Sequence, residues 1–160
     1  MVYEAQGRYE EAEHLHKRAL AIWEKRLGPN HPDTALGLNN LGRFYLGRNK
    51  YYEAQPFFER ALHIFERYFE PDHNSVIKCI SNLAVVYEAQ GKYAEAEPLF
   101  KRALPIWETR LSHEYLSVIT VMESYARLLR NTNRAAEAEE MESRARAIRS
   151  KIDRGIQLPN

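Results

Sequence analysis

Apolar residues return along this chain at helical spacing, and the whole pattern then repeats. Tyr9, Ala12, Leu15, His16, Ala19, Leu20 and Trp23 mark one face and predict a helix over about residues 8–27. Gly28-Pro29-Asn30-His31-Pro32-Asp33 stops it, because glycine suits a left-handed cap and the prolines cannot continue the helix. Asp33 or Thr34 then caps the next helix. That helix covers about 33–48, with Leu38, Leu41, Gly42 and Tyr45 as its inward stripe. Further helices are expected at about 50–69, 74–90, 92–111, 114–131 and 134–153. The short connections make neighbouring helices antiparallel. No stretch carries a strand signal.

The stretch from Tyr87 to Leu111 is the clearest copy of a longer unit. Residues 3–27 match it at 19 of 25 places and residues 45–69 at 12 of 25, at shifts of 84 and 42 positions. A fourth, eroded copy begins at Leu129. A fixed period of this length signals stacked repeats, each unable to bury its apolar face alone. Small residues fall one period apart: Ala12, Ala54, Ala96 and Ala138; Ala19, Ala61, Ala103 and Ala145; Gly42, Ala84 and Ala126. Such columns let helix axes approach closely, with aromatic residues filling the spaces between.

The ends depart from the period. Residues 1–6 correspond to 85–90, a helix end, so the chain is read as starting inside a repeat. The face of Leu15, Ala19 and Ile22 then lacks part of its cover, which predicts end-to-end self-association at the N-terminus or a frayed first helix. At the other end, Arg146 and Arg149 replace the leucine and aromatic columns, so the last helix reads as a polar cap. The expected organisation is one domain over 1–160. It holds a partial first repeat at 1–32, repeats at 33–73 and 74–112, a repeat with its cap at 113–153, and a tail at 154–160. Pro56, Pro98 and Pro105 fall inside expected helices. Pro105 is central, and a bend near 101–105 is expected rather than a break, because the apolar stripe continues across it.

Composition narrows the function. With 160 residues and a formal net charge of +1, the chain carries no electrostatic footprint for nucleic acid or an anionic membrane. It has no apolar run for a signal peptide or a membrane span, and its single cysteine, Cys79, excludes an intrachain disulfide. The expectation is a cytoplasmic protein. Cys79 shares a column with Gly37 and Val121, which reads as a small buried hydrophobe. The six histidines show no ligand spacing, so no metal site is expected, and no phosphate loop or nucleophile motif points to a cofactor or to catalysis. Glu11 with Glu13, and Glu95 with Glu97, recur at solvent-facing spacing and read as a charged helix face.

The motif set resembles the tetratricopeptide repeat. Leu41-Gly42, Tyr45, Tyr51, Ala54, Phe58, Ala61-Leu62 and Pro71 carry the likeness, and Leu83-Ala84, Tyr87, Tyr93, Ala96, Phe100 and Ala103-Leu104 repeat it. The 42-residue form, with Leu-Gly-Pro-Asn-His-Pro-Asp at 27–33, Leu-Asn-Asn-Leu-Gly at 38–42 and Glu-Ala-Glu-Pro-Leu at 95–99, is similar to the kinesin light chain type. The resemblance implies an all-α solenoid, a superhelix of antiparallel helix pairs with a concave groove that binds peptides.

A helical wheel of 33–48 sets the core stripe on one side and Leu36, Asn40, Arg43 and Gly47 opposite, with Asn39 at the flank. The equivalents are Lys78, Ser81 and Asn82 in the next repeat, and Thr120, Glu123, Ser124 and Arg127 in the third. The resemblance places this face in the groove and gives the peptide-binding candidates as Asn39, Asn40, Arg43, Lys78, Ser81, Asn82, Glu123, Ser124 and Arg127. Asn40 and Asn82 match positions at which the family binds a peptide main chain, and asparagine offers both a donor and an acceptor. Arg43, Lys78 and Arg127 against Glu123 make the groove mildly basic, which favours acidic peptides. The positions of the family's carboxylate clamp hold Asn39, Thr120 and Ser124, so a chaperone-tail binder is not expected. The expected function is therefore a non-catalytic module that binds a protein or peptide. The alternative is a structural spacer or oligomerisation module within a larger signalling or sensor protein.

Overall fold

Helix boundaries follow the punctuation of the chain. The computed structural model describes residues 7–109 and 111–154, and no side chain is described for 111–114. The expected stub at 1–6 and the tail beyond Arg154 lie outside the described residues. Seven α-helices occupy the described part: α1 (Tyr9–Leu27), α2 (Pro32–Leu46), α3 (Tyr51–Tyr68), α4 (Asn74–Ala89), α5 (Tyr93–Glu108), α6 (Leu111–Asn131) and α7 (Ala135–Asp153). Each lies within three residues of its expected limits. The largest departure is the α5–α6 turn, which lacks the Gly-Pro-Asn-His-Pro-Asp loop. There Thr109 ends α5, its hydroxyl donating to the Ile106 carbonyl at 2.8 Å.

The caps differ from expectation. Neither Asp33 nor Thr34 caps α2. Pro32 is the first helical residue, and His31 Nδ1 accepts the Asp33 N–H at 3.2 Å. Thr34 is fully buried and donates to the Gly28 carbonyl at 2.8 Å, tying the loop down. The arrangement recurs one repeat later, where His73 Nδ1 accepts the Ser75 N–H at 3.2 Å. The two loop histidines therefore act as helix caps. Proline at the first position needs no N–H partner, and the cap falls on His31, two residues before Asp33.

Packing divides the chain into two units, residues 1–82 and 83–160, with the boundary inside α4. In the first unit Phe58, Phe65, Leu38 and Leu41 are fully buried. Gly42 lies so close to Phe58 that an added Cβ would sit 2.9 Å from the ring, so the small column admits an aromatic here. In the second unit Trp107, Phe100, Met122, Leu128 and Leu129 form the centre. The alanine columns are buried throughout except at Ala19.

α3 runs through Pro56, and α5 runs through Pro98 and Pro105 without a break. All three rings are exposed. On that side water can take the carbonyl that each proline leaves unpaired, so the helix survives.

Candidate functional site

Asn40 and Arg43 lie three apart on α2 and share one face of the helix. Together they line a cavity of about 320 Å³ with Tyr9 and His16 of α1 and Phe44, Gly47 and Arg48. Asn40 is half-buried and Arg43 exposed. The Arg43 guanidinium makes no hydrogen bond or ion pair with another described residue. Arg48 is held differently: its guanidinium carbon lies 4.1 Å from the Tyr9 ring centroid and 5.9 Å from that of Phe44. A guanidinium over an aromatic face is electrostatically favoured, which fixes a positive charge at the rim. The His16 ring lies 5.5 Å from that of Phe44. Among the described residues the lining thus combines three basic side chains, two aromatic rings and one amide, with no carboxylate.

The other expected residues of the first unit separate into two groups. Lys78 and Asn82 are half-buried on α4. Asn39 and Ser81 are buried, contrary to the wheel's placement of their column at the flank of an open face. The Ser81 hydroxyl donates to the Ile77 carbonyl at 2.8 Å, and the Asn39 Oδ1 is enclosed without a protein partner. A wheel describes one helix and cannot show which neighbour covers its flank.

In the second unit the expected residues are engaged internally. Arg127 donates to both carboxylate oxygens of Glu88, at 3.3 and 2.9 Å, and to Ser124 Oγ at 3.0 Å. Glu88 is 7% exposed and Ser124 1%, so this fork joins α4 to α6. Glu123 accepts from Arg149 of α7 at 2.9 Å.

Tyr45 of the α2 stripe and Tyr125 of α6 each hold a glutamate whose spacing reads as solvent-facing. Tyr45 donates to Glu13 at 2.8 Å, and Lys17 donates to the same oxygen at 2.6 Å. In the second unit Tyr125 donates to Glu97 at 3.3 Å, while Lys101 and Arg134 reach it at 2.8 and 2.6 Å. Hydrogen bonds from Lys101 and Arg134 pull the Glu97 carboxyl down to about 2, against the opposing effect of burial. Glu13 is lowered by the same kind of contact, first from Lys17 and then from Tyr45. Burial raises the Cys79 thiol far above its ordinary value, and the thiol lies 3.4 Å from the Phe58 carbonyl as a donor. It is a packed side chain and a poor nucleophile.

Among the described residues no group of three or more His, Cys, Asp or Glu is placed to hold a metal ion, and no helix is long and apolar enough to cross a membrane.

Sequence reasoning missed Tyr9, His16, Phe44 and Arg48 as cavity residues. Tyr9 and His16 carry the inward stripe of α1, and Arg48 sits in a turn. Only the docking of α1 on α2 turns their edges towards Asn40 and Arg43.

The sequence pattern described as Tetratricopeptide repeat matches residues 1–62, 33–109 and 78–151. No curated protein matches the chain. Among solved structures, BtubC (BKLC) from P. vanneervenii is similar over 99% of this chain, with a TM-score of 0.80 and 23% identity. The chain spans 62% of the length of that protein. The nearly identical TPR-like repeats of a putative kinesin light chain from Podosopora anserina are similar over 95% of this chain and 72% of theirs, with 28% identity. Two crystal structures of those repeats give TM-scores of 0.72 and 0.69. The all-α solenoid of antiparallel helix pairs is thus the observed fold class.

Proposed function

Because the chain belongs to the tetratricopeptide repeat family, whose repeats are generally protein–protein interaction modules, we propose that it holds a peptide segment of a partner protein on the α2 face that carries Asn40 and Arg43. The observation that carries this reading is the cavity of about 320 Å³, lined by Arg43, which pairs with no other described residue, together with an amide and two aromatic rings. An asparagine in such a place can donate to and accept from an extended main chain at once. Arg43 and Arg48 favour an acidic side chain beside that main chain. Lys78 and Asn82, on α4 of the same unit, are further contacts in this reading. The setting proposed is the cytoplasm, and no catalytic step is assigned, in keeping with a fold that is typically a non-catalytic scaffold.

A spacer role has one observation in its favour. The three expected residues of the second unit are occupied by Glu88 and Arg149 or enclosed. The peptide role is therefore assigned to the first unit.

The test is a peptide array on the whole chain, followed by titration of the best acidic hit at low and raised salt. Salt-sensitive capture of acidic peptides, lost in Arg43→Ala, is expected. Capture indifferent to both salt and Arg43→Ala removes this reading.

A further inference from the structure

One large apolar side chain stands on the polar face of α2. Leu36 is 44% exposed, and one and two periods later its column holds Lys78 and Thr120. The opening belongs to the column rather than to one end of the chain, since Thr120 is exposed too, on a helix with five others before it. Single exposed apolar side chains are ordinary. What sets Leu36 apart is its alignment. Asn40 follows at i+4 and Arg43 at i+7, all three within about 60° of one another at about 100° per residue. Gly47 continues the line without a side chain, and the exposed Asp33 stands at its other end, in the first turn of α2. The strip thus runs from a carboxylate through a leucine and an amide to a guanidinium.

Resting on the peptide role proposed above, we infer that the occupant of this strip is a polyproline-II segment of the partner with an apolar and an acidic side chain three positions apart. The apolar side chain lies on Leu36 and the acidic one on Arg43. Span and sidedness select that conformation. Seven residues of α-helix separate Leu36 from Arg43 by about 10.5 Å. In polyproline II, residues three apart lie on the same side and about 9 Å apart. Same-side residues of an extended strand are about 7 or 13 Å apart, and those of a helical ligand three or four apart only about 5–6 Å. A polyproline-II backbone makes no internal hydrogen bonds, so its N–H and C=O groups are left for the Asn40 amide. Asn40 lies about 6 Å from Leu36 along the helix, opposite the second of the two intervening residues. Asp33 repels a second carboxylate at the Leu36 end, so the pair docks in one sense.

Titration calorimetry on the whole chain tests this with peptides in which a leucine and an aspartate are separated by one, two or three residues, in both sequence orders. In the better order the two-residue spacing should bind at least about fivefold tighter than the others. Proline at the intervening residue next to the leucine should keep the affinity within about threefold, which a helical ligand would not allow. Leu36→Ala should weaken the leucine peptide about fivefold and leave its alanine counterpart unchanged, with no change in the melt of the protein. Acidic peptides captured through Arg43 without a spacing optimum, or with equal effects of Leu36→Ala on both peptides, overturn this inference while the peptide role stands. Loss of binding on the proline replacement overturns it as well. Failure to capture any acidic peptide removes both.

Discussion

At the scale of single residues, two arginines on equivalent faces divide by what surrounds them. Arg43 lines a cavity with no partner among the described residues, whereas Arg127 neutralises a buried glutamate. Arg43→Ala is expected to leave the melt unchanged and weaken acidic-peptide binding by ~1–3 kcal/mol, the range for a lost charge-assisted hydrogen bond. Arg127→Ala should do the reverse, costing ~1–3 kcal/mol of stability because Glu88 is left enclosed and unpaired. Titration calorimetry beside thermal melts of both variants checks the split, and matching profiles for the two would refute it. Gly37 offers a packing test. A Cβ there would lie 2.5 and 2.6 Å from two ring atoms of Trp23. Overpacking of this kind costs ~1–3 kcal/mol and outweighs the ~1 kcal/mol that alanine gains as a helix former. Gly37→Ala should therefore lower stability by ~1 kcal/mol, and adding Trp23→Phe should recover most of it. Denaturant midpoints of the two variants decide. The third repeat combines Val121 with Trp107, so column identity alone does not settle which size is tolerated.

At the scale of elements, helices are joined by buried columns of small residues and by polar ties from their ends. The knot of Glu97 with Lys101, Tyr125 and Arg134 links α5 to α6 and to the start of α7. Its carboxyl lies at about 2 when folded, against an ordinary value of 4.5. A depressed value means that the folded state favours the charged form. The contribution is then present above about pH 4.5 and is lost as pH falls towards 2. Glu97→Gln should lower the melting temperature at pH 7 and reduce the loss of stability between pH 4.5 and 2. An acid limb identical to that of the unsubstituted chain would show that the tie adds nothing. Most of this level was legible in sequence: seven helices, their order and their stripes follow from period 3.6 and from the proline-containing loops at 28–33 and 70–75. The knot was not, because Glu97 has the spacing of an ordinary exposed glutamate. Its contact with Arg134 crosses 37 residues.

At the scale of the molecule, the division into two packed units falls within the span of α4, after Asn82. Each unit holds one tryptophan, Trp23 in the first and Trp107 in the second. In repeat proteins stability is roughly a sum of units and their couplings, so a lesion in one need not move the other equally. His31→Ala removes the cap of α2 and should cost about 1 kcal/mol in the first unit. Measured in single-tryptophan backgrounds, the denaturant midpoint reported by Trp23 should fall further than that reported by Trp107. Equal shifts at both probes would mean one cooperative transition instead.

The sequence by itself determined the repeat, the helices, the inward columns and the chemical character of the outer faces. Those properties depend on spacing along a regular helix, which geometry translates directly into sidedness. Asn40 and Arg43 were legible as neighbours on one surface for the same reason. The tertiary structure alone decided which outward positions stay open. It enclosed Asn39, Ser81 and Ser124, tied Arg127 to Glu88, and brought Tyr9, His16 and Arg48 to Asn40 and Arg43. Each of these outcomes depends on which neighbouring helix covers a flank and at what depth. That is a property of packing between segments far apart in the chain, where the period of any one helix carries no information.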